Sequence, residues 1–539
     1  MKNKQINSVF AIILVFFGIF LLFPTFIILK NAFSVGKSFS FGSFAAVFEQ
    51  GKLASAFWNS TKVSLVSAFI TTILAFVVAY TVSFTNIPLG LKKVLRTLAV
   101  FPMLLPTITY GFAIMYSFGK NGFITKLVGK QLFDFYGFNG LVFGYVIYTF
   151  PIAFTLLKNT MEYIDKRYLI VCKVMGDNGL KTFNTAVLHP LWGTLAVCIV
   201  QSFFLSFTDF GIPASIGGRY VVIAELLYNT MLGSLPNFNQ GSVIAIMMLL
   251  PSIFSILLLN YLQRFNVRYN KISTPEITKN RFRDISTTTA SALILVLILS
   301  IFVVVFVAPF VSAWPYDLSF TMDNVKSAFS DSGLMRVFRN SLLISLLTAV
   351  FGTILVYISA LVTARNKIHP RCSHLIESIA QITNTLPGMV LGIAFLLAFR
   401  KTPIHNTIII IVCCNLVHFF ATPYLLMKST LDKMNNSWET TAKLLGDNWI
   451  KTVIRIITPN AVTSLLEVFC YLFINGMVTV SAIIFIAGAK TMVITTKIQE
   501  LQHFAKFNEI FILSILILIT NLIFKTVKGL INKRNELNK

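Results

Sequence analysis

Long apolar stretches constrain this chain more than any other feature. Each is close to 20 residues, which is the length that an α-helix needs to cross a bilayer. Only 12% of the 539 residues are charged, whereas soluble proteins carry roughly 25%, so one very large soluble core is disfavoured. We therefore predict an all-α membrane protein with twelve transmembrane helices, at residues 8–30, 62–85, 97–118, 138–160, 191–213, 241–262, 290–314, 342–364, 375–399, 404–427, 460–487 and 507–526.

The basic residues indicate how these spans are oriented. The net charge is +25, but the bases lie between apolar runs and not on a face interleaved with aromatics, so lipid headgroups are better partners than nucleic acid. With twelve spans, the most basic segments fall on one side: the loop at Lys92, the loops at 161–189 and 428–459, the linker at 263–289 and the C-terminal tail. Since cytoplasmic loops are enriched in Lys and Arg, we expect a multi-pass bacterial inner-membrane protein with both termini in the cytoplasm.

An internal repeat divides the chain into two halves. Asn59-Ser60 recurs as Asn340-Ser341 and Leu105-Pro106 as Leu386-Pro387, at an offset of 281 residues, while Lys158 matches Lys428 at an offset of 270. Because each half holds six spans, an even number, the halves insert in the same orientation and form parallel repeats. The predicted division is a first repeat at 1–262, a basic cytoplasmic linker at 263–289 and a second repeat at 290–539.

Two loops at equivalent positions carry the most specific pattern. The first paired loop (161–190) and the second paired loop (428–459) each have a helix-forming stretch, then Gly-Asp-Asn, then a second amphipathic stretch ended by a proline, where we expect the chain to turn back into the membrane. Glycine permits a turn with positive φ, and Asn or Asp caps the next helix. Such a helix could fit a groove on a partner protein or rest on lipid headgroups. The matched residues are Gly176, Asp177, Asn178, Lys181 and Pro190 in the first loop, and Gly446, Asp447, Asn448, Lys451 and Pro459 in the second.

These loops resemble the EAA motif of permease subunits in binding-protein-dependent ABC importers. Gly446 and Pro459 have the spacing of that motif, and Gly176 and Pro190 are one residue further apart. The chain departs from the motif at its start, where Ile170-Val171-Cys172 and Thr440-Thr441-Ala442 replace Glu-Ala-Ala and Glu439 stands one place early. The resemblance implies a type I importer permease (MetI-like) whose paired loops dock into nucleotide-binding subunits.

The resemblance extends beyond the paired loops. LPTITYGFAI at 105–114 and LPGMVLGIAF at 386–395 look like the third-span signature of the same permeases. The segments at 208–220 and 477–486 resemble fused permeases that import ferric iron or 2-aminoethylphosphonate. The implied partners are two ATP-binding subunits, expected to be a homodimer, and an extracytoplasmic substrate-binding protein; polyamine, thiamine or an oxyanion are alternative cargoes.

Several residues are candidates for the translocation path or its gate. Acids in membrane segments are costly and often functional. Asp209 is therefore a candidate contact for a cation or a substrate amine or part of a gate hinged at Gly211 and Pro213, and a cap of the next short helix is the structural alternative. Prolines and glycines that disturb a span are tolerated where a cavity or other protein surrounds them, although glycines also permit close helix packing. The candidates are Pro106, Gly111, Asp209, Gly211, Pro213, Pro387, Gly392, Thr479 and Ser481.

The sequence contains no pattern for covalent chemistry. It has no G-x-x-x-x-G-K-[ST] loop to cradle nucleotide phosphates, its six cysteines form no CxxC pair, and its six histidines form no obvious ligand cluster. We therefore expect no enzyme activity, metal or cofactor in this chain, with ATP and Mg used by the partner subunits. An ion-driven secondary transporter and a non-transporting membrane scaffold remain the alternatives.

Overall fold

The computed structural model describes residues 2–35, 38–131, 134–262, 280–365, 370–435 and 437–537. Over these residues the chain is almost entirely helical. Nine helices are long and apolar enough to cross a membrane, and three bent helix pairs bring the number to twelve if each pair is one span. The predicted all-α fold with twelve spans is therefore confirmed on that count, while residues 263–279 of the predicted linker lie outside the described part of the chain.

The first repeat contains fourteen helices and one short hairpin. Its helices are α1 (Lys2–Phe17), α2 (Phe23–Ala32), α3 (Gly42–Glu49), α4 (Lys52–Phe84), α5 (Leu89–Val100), α6 (Thr107–Phe118), α7 (Phe123–Val128), α8 (Phe138–Glu162), α9 (Arg167–Val174), α10 (Gly179–Phe183), α11 (His189–Thr208), α12 (Gly211–Ile216), α13 (Ile223–Leu232) and α14 (Phe238–Leu262). The antiparallel hairpin joins β1 (Ser34–Val35) to β2 (Ser38–Phe39).

The second repeat follows the same order with twelve helices. They are α15 (Arg281–Val307), α16 (Asp323–Ser330), α17 (Ser332–Ala364), α18 (Pro370–Thr385), α19 (Gly388–Phe399), α20 (Ile408–His418), α21 (Ala421–Asp432), α22 (Ser437–Leu444), α23 (Trp449–Thr452), α24 (Thr458–Val478), α25 (Ile494–His503) and α26 (Phe507–Leu537). Its hairpin, β3 (Val311–Ala313) with β4 (Asp317–Phe320), again follows the first span of the repeat.

The repeated Asn-Ser pair makes the same contacts in both halves. Asn59 Nδ2 donates to the carbonyl of Val221 at 3.1 Å, and the hydroxyl of Ser60 accepts from the backbone N–H of Ile223 at 2.8 Å. In the second repeat, Asn340 binds the carbonyls of Lys490 and Met492, and Ser341 accepts from the N–H of Ile494 at 2.7 Å. Each pair thus fastens the second span of its repeat to the start of α13 or α25.

The third span of each repeat is broken at its Leu-Pro step. The chain turns by 105° between residues 104 and 107, and by 104° between residues 385 and 388. Proline lacks an N–H and disfavours helical geometry in the residue before it, so a helix ends there and a new one starts with proline as its N-cap. The spans predicted at 97–118 and 375–399 are therefore bent pairs, as is the one at 404–427, which turns by 56° between α20 and α21.

The first span of each repeat packs against the other repeat. In the first repeat, α1 contacts α17 and α2 contacts α19, with the rings of Phe17 and Phe420 4.7 Å apart. In the second repeat, α15 contacts α4 and α6, where the hydroxyls of Ser291 and Thr81 lie 2.8 Å apart. The two halves therefore exchange their first spans and share one hydrophobic core.

Candidate functional site

The Gly-Asp-Asn corners of the paired loops have the same backbone geometry. Gly176 has φ +74° and Gly446 has φ +79°. The next N–H folds back over the helix end: Asp177 N donates to Cys172 O at 3.0 Å, and Asp447 N donates to Ala442 O at 2.9 Å. These are the hydrogen bonds of a Schellman helix end. Because a Cβ added at either glycine would meet nothing within 4 Å, the positive φ and not crowding accounts for glycine there.

The residues after each glycine start the next helix. Asn178 Oδ1 accepts from the N–H of Lys181 at 2.9 Å, and Asn448 Oδ1 accepts from the N–H of Lys451 at 2.8 Å. This side-chain cap satisfies a backbone donor that has no partner within the helix. Each lysine also forms an ion pair with the Asp four residues before it; the Lys181–Asp177 distance is 2.6 Å. The structure therefore brings together the matched polar residues of each loop at one corner.

The expectation that Pro190 and Pro459 end a separate amphipathic helix is wrong. The helix that starts after each corner continues into the next span, at Gly179–Thr208 and at Trp449–Val478. Five-residue π turns, Asn184–Leu188 and Val453–Ile457, precede Pro190 and Pro459. A π turn relaxes the usual hydrogen-bond pattern, which lets the chain accommodate a proline that has no N–H to donate without ending the helix.

Apolar side chains project around both corners. Val174 and Leu180 are 82% and 83% exposed in the first loop, and Leu444 and Leu445 are 84% and 77% exposed in the second. Val174 corresponds to Leu444 at the 270-residue offset. Exposed apolar residues clustered at equivalent places are typical of a surface that binds another protein.

A cavity of about 390 Å³ lies between the two repeats. Its wall includes the breaks of both third spans and parts of the fourth, fifth, tenth and eleventh spans. Many lining residues are matched positions of the two repeats: Tyr148 and His418, Gln201 and Tyr471, Leu205 and Asn475, and Asp209 and Thr479. The members of each pair differ chemically, so the cavity has a two-fold arrangement of backbone but an asymmetric lining. Asp209 contributes the one carboxylate among the lining residues that the structure describes.

Asp209 ends α11 and is held by two hydrogen bonds. Its Oδ1 accepts from the hydroxyl of Thr107 at 2.8 Å, and its Oδ2 accepts from the N–H of Ile212 at 2.9 Å. Only 9% of the residue is exposed. Asp209 therefore caps α12 and ties it to the restart of the third span, while still facing the cavity.

The remaining path candidates divide into lining and packing positions. Pro387, Thr479 and Ser481 line the cavity with Asp209. Pro106 and Pro213 are buried, in the break of the third span and in α12. The glycines lie at close approaches between segments: a Cβ on Gly111 would be 1.7 Å from Ser215 Oγ, one on Gly211 would be 2.2 Å from Thr107 Oγ1, and one on Gly392 would be 2.4 Å from Ala482 O.

Sequence reasoning missed several polar lining residues. Tyr148, Gln201, His418 and Asn475 lie within apolar spans, and a comparison of the two repeats at the 270-residue offset would have drawn attention to them because the matched members differ. Within the described ranges, no three His, Cys, Asp or Glu side chains are grouped so that they could hold a metal ion. The cavity therefore presents scattered oxygen and nitrogen atoms, and one carboxylate, to a molecule inside it.

Comparison with known proteins finds relatives along the whole chain. The family model of the binding-protein-dependent transport system inner membrane component matches residues 352–536. The ferric transport system permease protein FbpB of Actinobacillus pleuropneumoniae is 24% identical over 514 residues, which are 92% of this chain and 73% of that protein. FbpB 1 of Haemophilus influenzae is 24% identical over 511 residues, 90% of this chain and 79% of that protein.

A shorter relative matches 32% of this chain. The molybdenum transport system permease protein ModB of Escherichia coli is 23% identical over 186 residues, which cover 79% of ModB but 32% of this chain. The part of this chain that aligns with ModB is therefore shorter than one repeat. The family match at residues 352–536, the similarity to the FbpB proteins across both repeats and the doubled pattern of spans and loops make this chain similar to the inner-membrane components of binding-protein-dependent transport systems, with two repeats in one chain.

Proposed function

We propose that this chain forms the translocation path of an ATP-driven importer of ferric iron. In this proposal both paired loops lie on the cytoplasmic side and dock into two ATP-binding subunits, which form a homodimer and use ATP and Mg. An extracytoplasmic binding protein delivers the cargo to the opposite face. The chain itself binds no nucleotide and catalyses no covalent step.

One observation carries the proposal. Each glycine corner is joined to the cavity by an uninterrupted helical segment, Gly179–Thr208 in the first repeat and Trp449–Val478 in the second, and the next residues are Asp209 and Thr479. A helix of 30 residues is about 45 Å long. A displacement of the corner by a docked ATPase therefore reaches the cavity wall through a single rigid element, in both repeats at once.

Alternating access follows from this mechanical link. When ATP closes the paired ATPase subunits, the two corners are drawn together and α11 and α24 move with them. Because these helices end beside the broken third spans, their motion changes the shape of the cavity between the repeats. The exposed apolar residues beside Gly176 and Gly446 supply the contact surface for the ATPases.

Ferric iron is the favoured cargo because the relatives aligned over nearly the whole chain are named as ferric transport permeases. The cavity also presents oxygen atoms from Asp209, Asn475 and tyrosines such as Tyr148. Hard oxygen ligands suit a small, highly charged cation, and a lining without a dense ligand cluster suits passage better than storage. A phosphonate such as 2-aminoethylphosphonate is the second cargo to be tested.

Reconstitution tests the proposal directly. The chain is placed in liposomes with its ATP-binding subunits and its binding protein, and the uptake of radioactive ferric iron is measured with and without ATP. We expect ATP-dependent uptake that an excess of 2-aminoethylphosphonate leaves unchanged. Uptake of the phosphonate in place of iron would correct the cargo, whereas uptake driven by an ion gradient without ATPase subunits would reject the whole proposal in favour of a secondary transporter.

A further inference from the structure

A buried arginine joins the second paired loop to the membrane helices. Arg365 directly follows α17, and its side chain has no exposed surface. It forms a bidentate ion pair with Glu439 in α22, with Nε–Oε1 at 2.6 Å and Nη2–Oε2 at 2.5 Å. Two parallel charge-assisted bonds are both strong and directional. Glu439 is one residue before the position at which the EAA motif has its glutamate, and here it faces inward and not toward a partner protein.

The same guanidinium group also binds the end of the tenth span. Nη1 donates to the carbonyls of Leu431 and Met434 at 3.2 and 2.7 Å, and Nη2 donates to the carbonyl of Asn435 at 2.8 Å. These carbonyls lie in the last turn of α21 and just after it, where a positive charge is favourable. All five N–H donors of the arginine are therefore used, and they join α17, α21 and α22 at one point.

The first paired loop lacks this arrangement. The residues that correspond to Arg365 and Glu439, at offsets of 281 and 270, are Phe84 and Leu169. Phe84 is buried at the end of α4, and the ammonium group of Lys166 lies 5.7 Å from the centre of its ring. At these two matched positions an apolar pair and one cation–π contact stand in place of the bidentate ion pair, while elsewhere in the first loop Glu162 pairs with Arg96 of α5 at 3.1 Å. The attachment at the position of Arg365 and Glu439 therefore differs between the two loops.

We propose that Arg365 and Glu439 are positioning residues that fix the second paired loop rigidly to the eighth and tenth spans, so that the two loops transmit force from the ATPase subunits unequally. The proposal rests on the proposed function for its transport consequence but not for the rigidity of the loop. Apolar contacts are non-directional, so Phe84 and Leu169 constrain the orientation of α9 less than an ion pair would. The ion pair is directional, and leaving one buried partner alone is strongly unfavourable, so α22 moves together with α17.

Hydrogen–deuterium exchange on the purified full chain tests the rigidity without any ATPase. In Glu439→Gln, we expect amide exchange at residues 437–445 to increase by about a hundredfold or more, because the buried guanidinium loses its charged partner, with exchange at 167–174 unchanged. The matched control is Glu509→Gln, which removes the partially exposed pair with Lys506 and should leave both loops unchanged. Unchanged exchange at 437–445 in Glu439→Gln would overturn the proposal.

A double variant places the apolar residue types of the first paired loop at the matched positions of the second paired loop. Arg365→Phe combined with Glu439→Leu removes both charges, so no buried charge is left unpaired, and the three carbonyls at the end of α21 lose their donor. We expect the two loops to exchange at similar rates, and iron uptake per ATP hydrolysed in the reconstituted importer to fall severalfold. An altered exchange rate with unchanged uptake per ATP would overturn unequal transmission while leaving the proposed importer intact. Failure to bind any ATPase would instead reject the proposed function, and the exchange data would still decide whether Arg365 and Glu439 fix the second paired loop.

Discussion

Asp209 and Thr479 occupy the same position in the two repeats, and only Asp209 carries a charge. Both oxygens of the Asp209 carboxylate accept hydrogen bonds from the protein, one from Thr107 and one from Ile212. A side chain held in this way stabilises the junction of the third span with α12. The same residue faces the cavity, so its structural role and its charge must be separated by substitution.

Replacing Asp209 by asparagine separates its structural role from its charge, because asparagine keeps a capping oxygen and removes the charge. We expect Asp209→Asn to retain iron uptake within about threefold of the parent chain, because Asn is as good a helix cap as Asp, and Asp209→Ala to lose about tenfold, because a lost cap typically costs 0.5–2 kcal/mol. Initial uptake rates in the reconstituted importer provide the measurement. If the Asn variant were as inactive as the Ala variant, the charge itself would contact the cargo.

The two corner glycines allow a second test at single residues. Gly176→Val together with Gly446→Val forces β-branched residues into left-handed backbone, at a cost of about 1–2 kcal/mol at each site. We expect membrane insertion to persist while ATP hydrolysis becomes uncoupled from uptake, measured as iron transported per phosphate released. Gly179→Ala is the control, since Gly179 does not have a positive φ and has open space around it. Normal coupling in the double variant would contradict the role given to the corners.

At the scale of elements, the sequence predicted where helices occur better than how they are joined. Twelve apolar stretches sufficed to predict the spans, because lipid requires long apolar helices. Hydropathy carries no information on the angle between successive helices, so the turn of 105° at the first Leu-Pro step was not predicted. The π turn before Pro190 was also missed, because a proline within an amphipathic pattern indicates a helix end as readily as a helix that adapts to it. The lining of the cavity depends on contacts between repeats, which lie far apart in sequence.

The serines of the repeated Asn-Ser pairs allow a test of whether equivalent contacts between helices stabilise the two repeats equally. Ser60→Ala and Ser341→Ala each remove the acceptor for one buried N–H at the start of α13 or α25. We expect each variant to lose roughly 1 kcal/mol of stability, and the double variant to show the sum, because distant sites with no shared partner are additive. Thermal unfolding in detergent measures this. A strongly unequal pair of losses would show that the two contacts are not equivalent.

At the scale of the whole molecule, the proposed function depends on which side of the membrane holds the paired loops. The five cysteines whose side chains the structure describes are buried, so a single new cysteine reports its own exposure once Cys372 is replaced by serine. Leu180 in the first paired loop is 83% exposed, and Leu235, between the fifth and sixth spans, is 91% exposed.

Labelling with a membrane-impermeant maleimide then distinguishes the two faces. We expect Leu235→Cys to react in intact spheroplasts and Leu180→Cys to react only after permeabilisation, since the basic loops favour the cytoplasmic side. The parent chain with serine at residue 372 is the control and should remain unlabelled. Reversed labelling would place the corners outside the cell, where no ATPase could reach them.

The exchanged first spans also affect how the protein is made. Since α1 packs against α17, and α2 packs against both α14 and α19, the first span reaches its full set of native contacts only after the second repeat enters the bilayer. Conversely, the surface of α4 and α6 that contacts α15 in the folded protein remains exposed to lipid while the second half is still being translated. Native packing is thus reached only near the end of synthesis, and a truncated product displays two unfilled surfaces by which membrane quality control can recognise it.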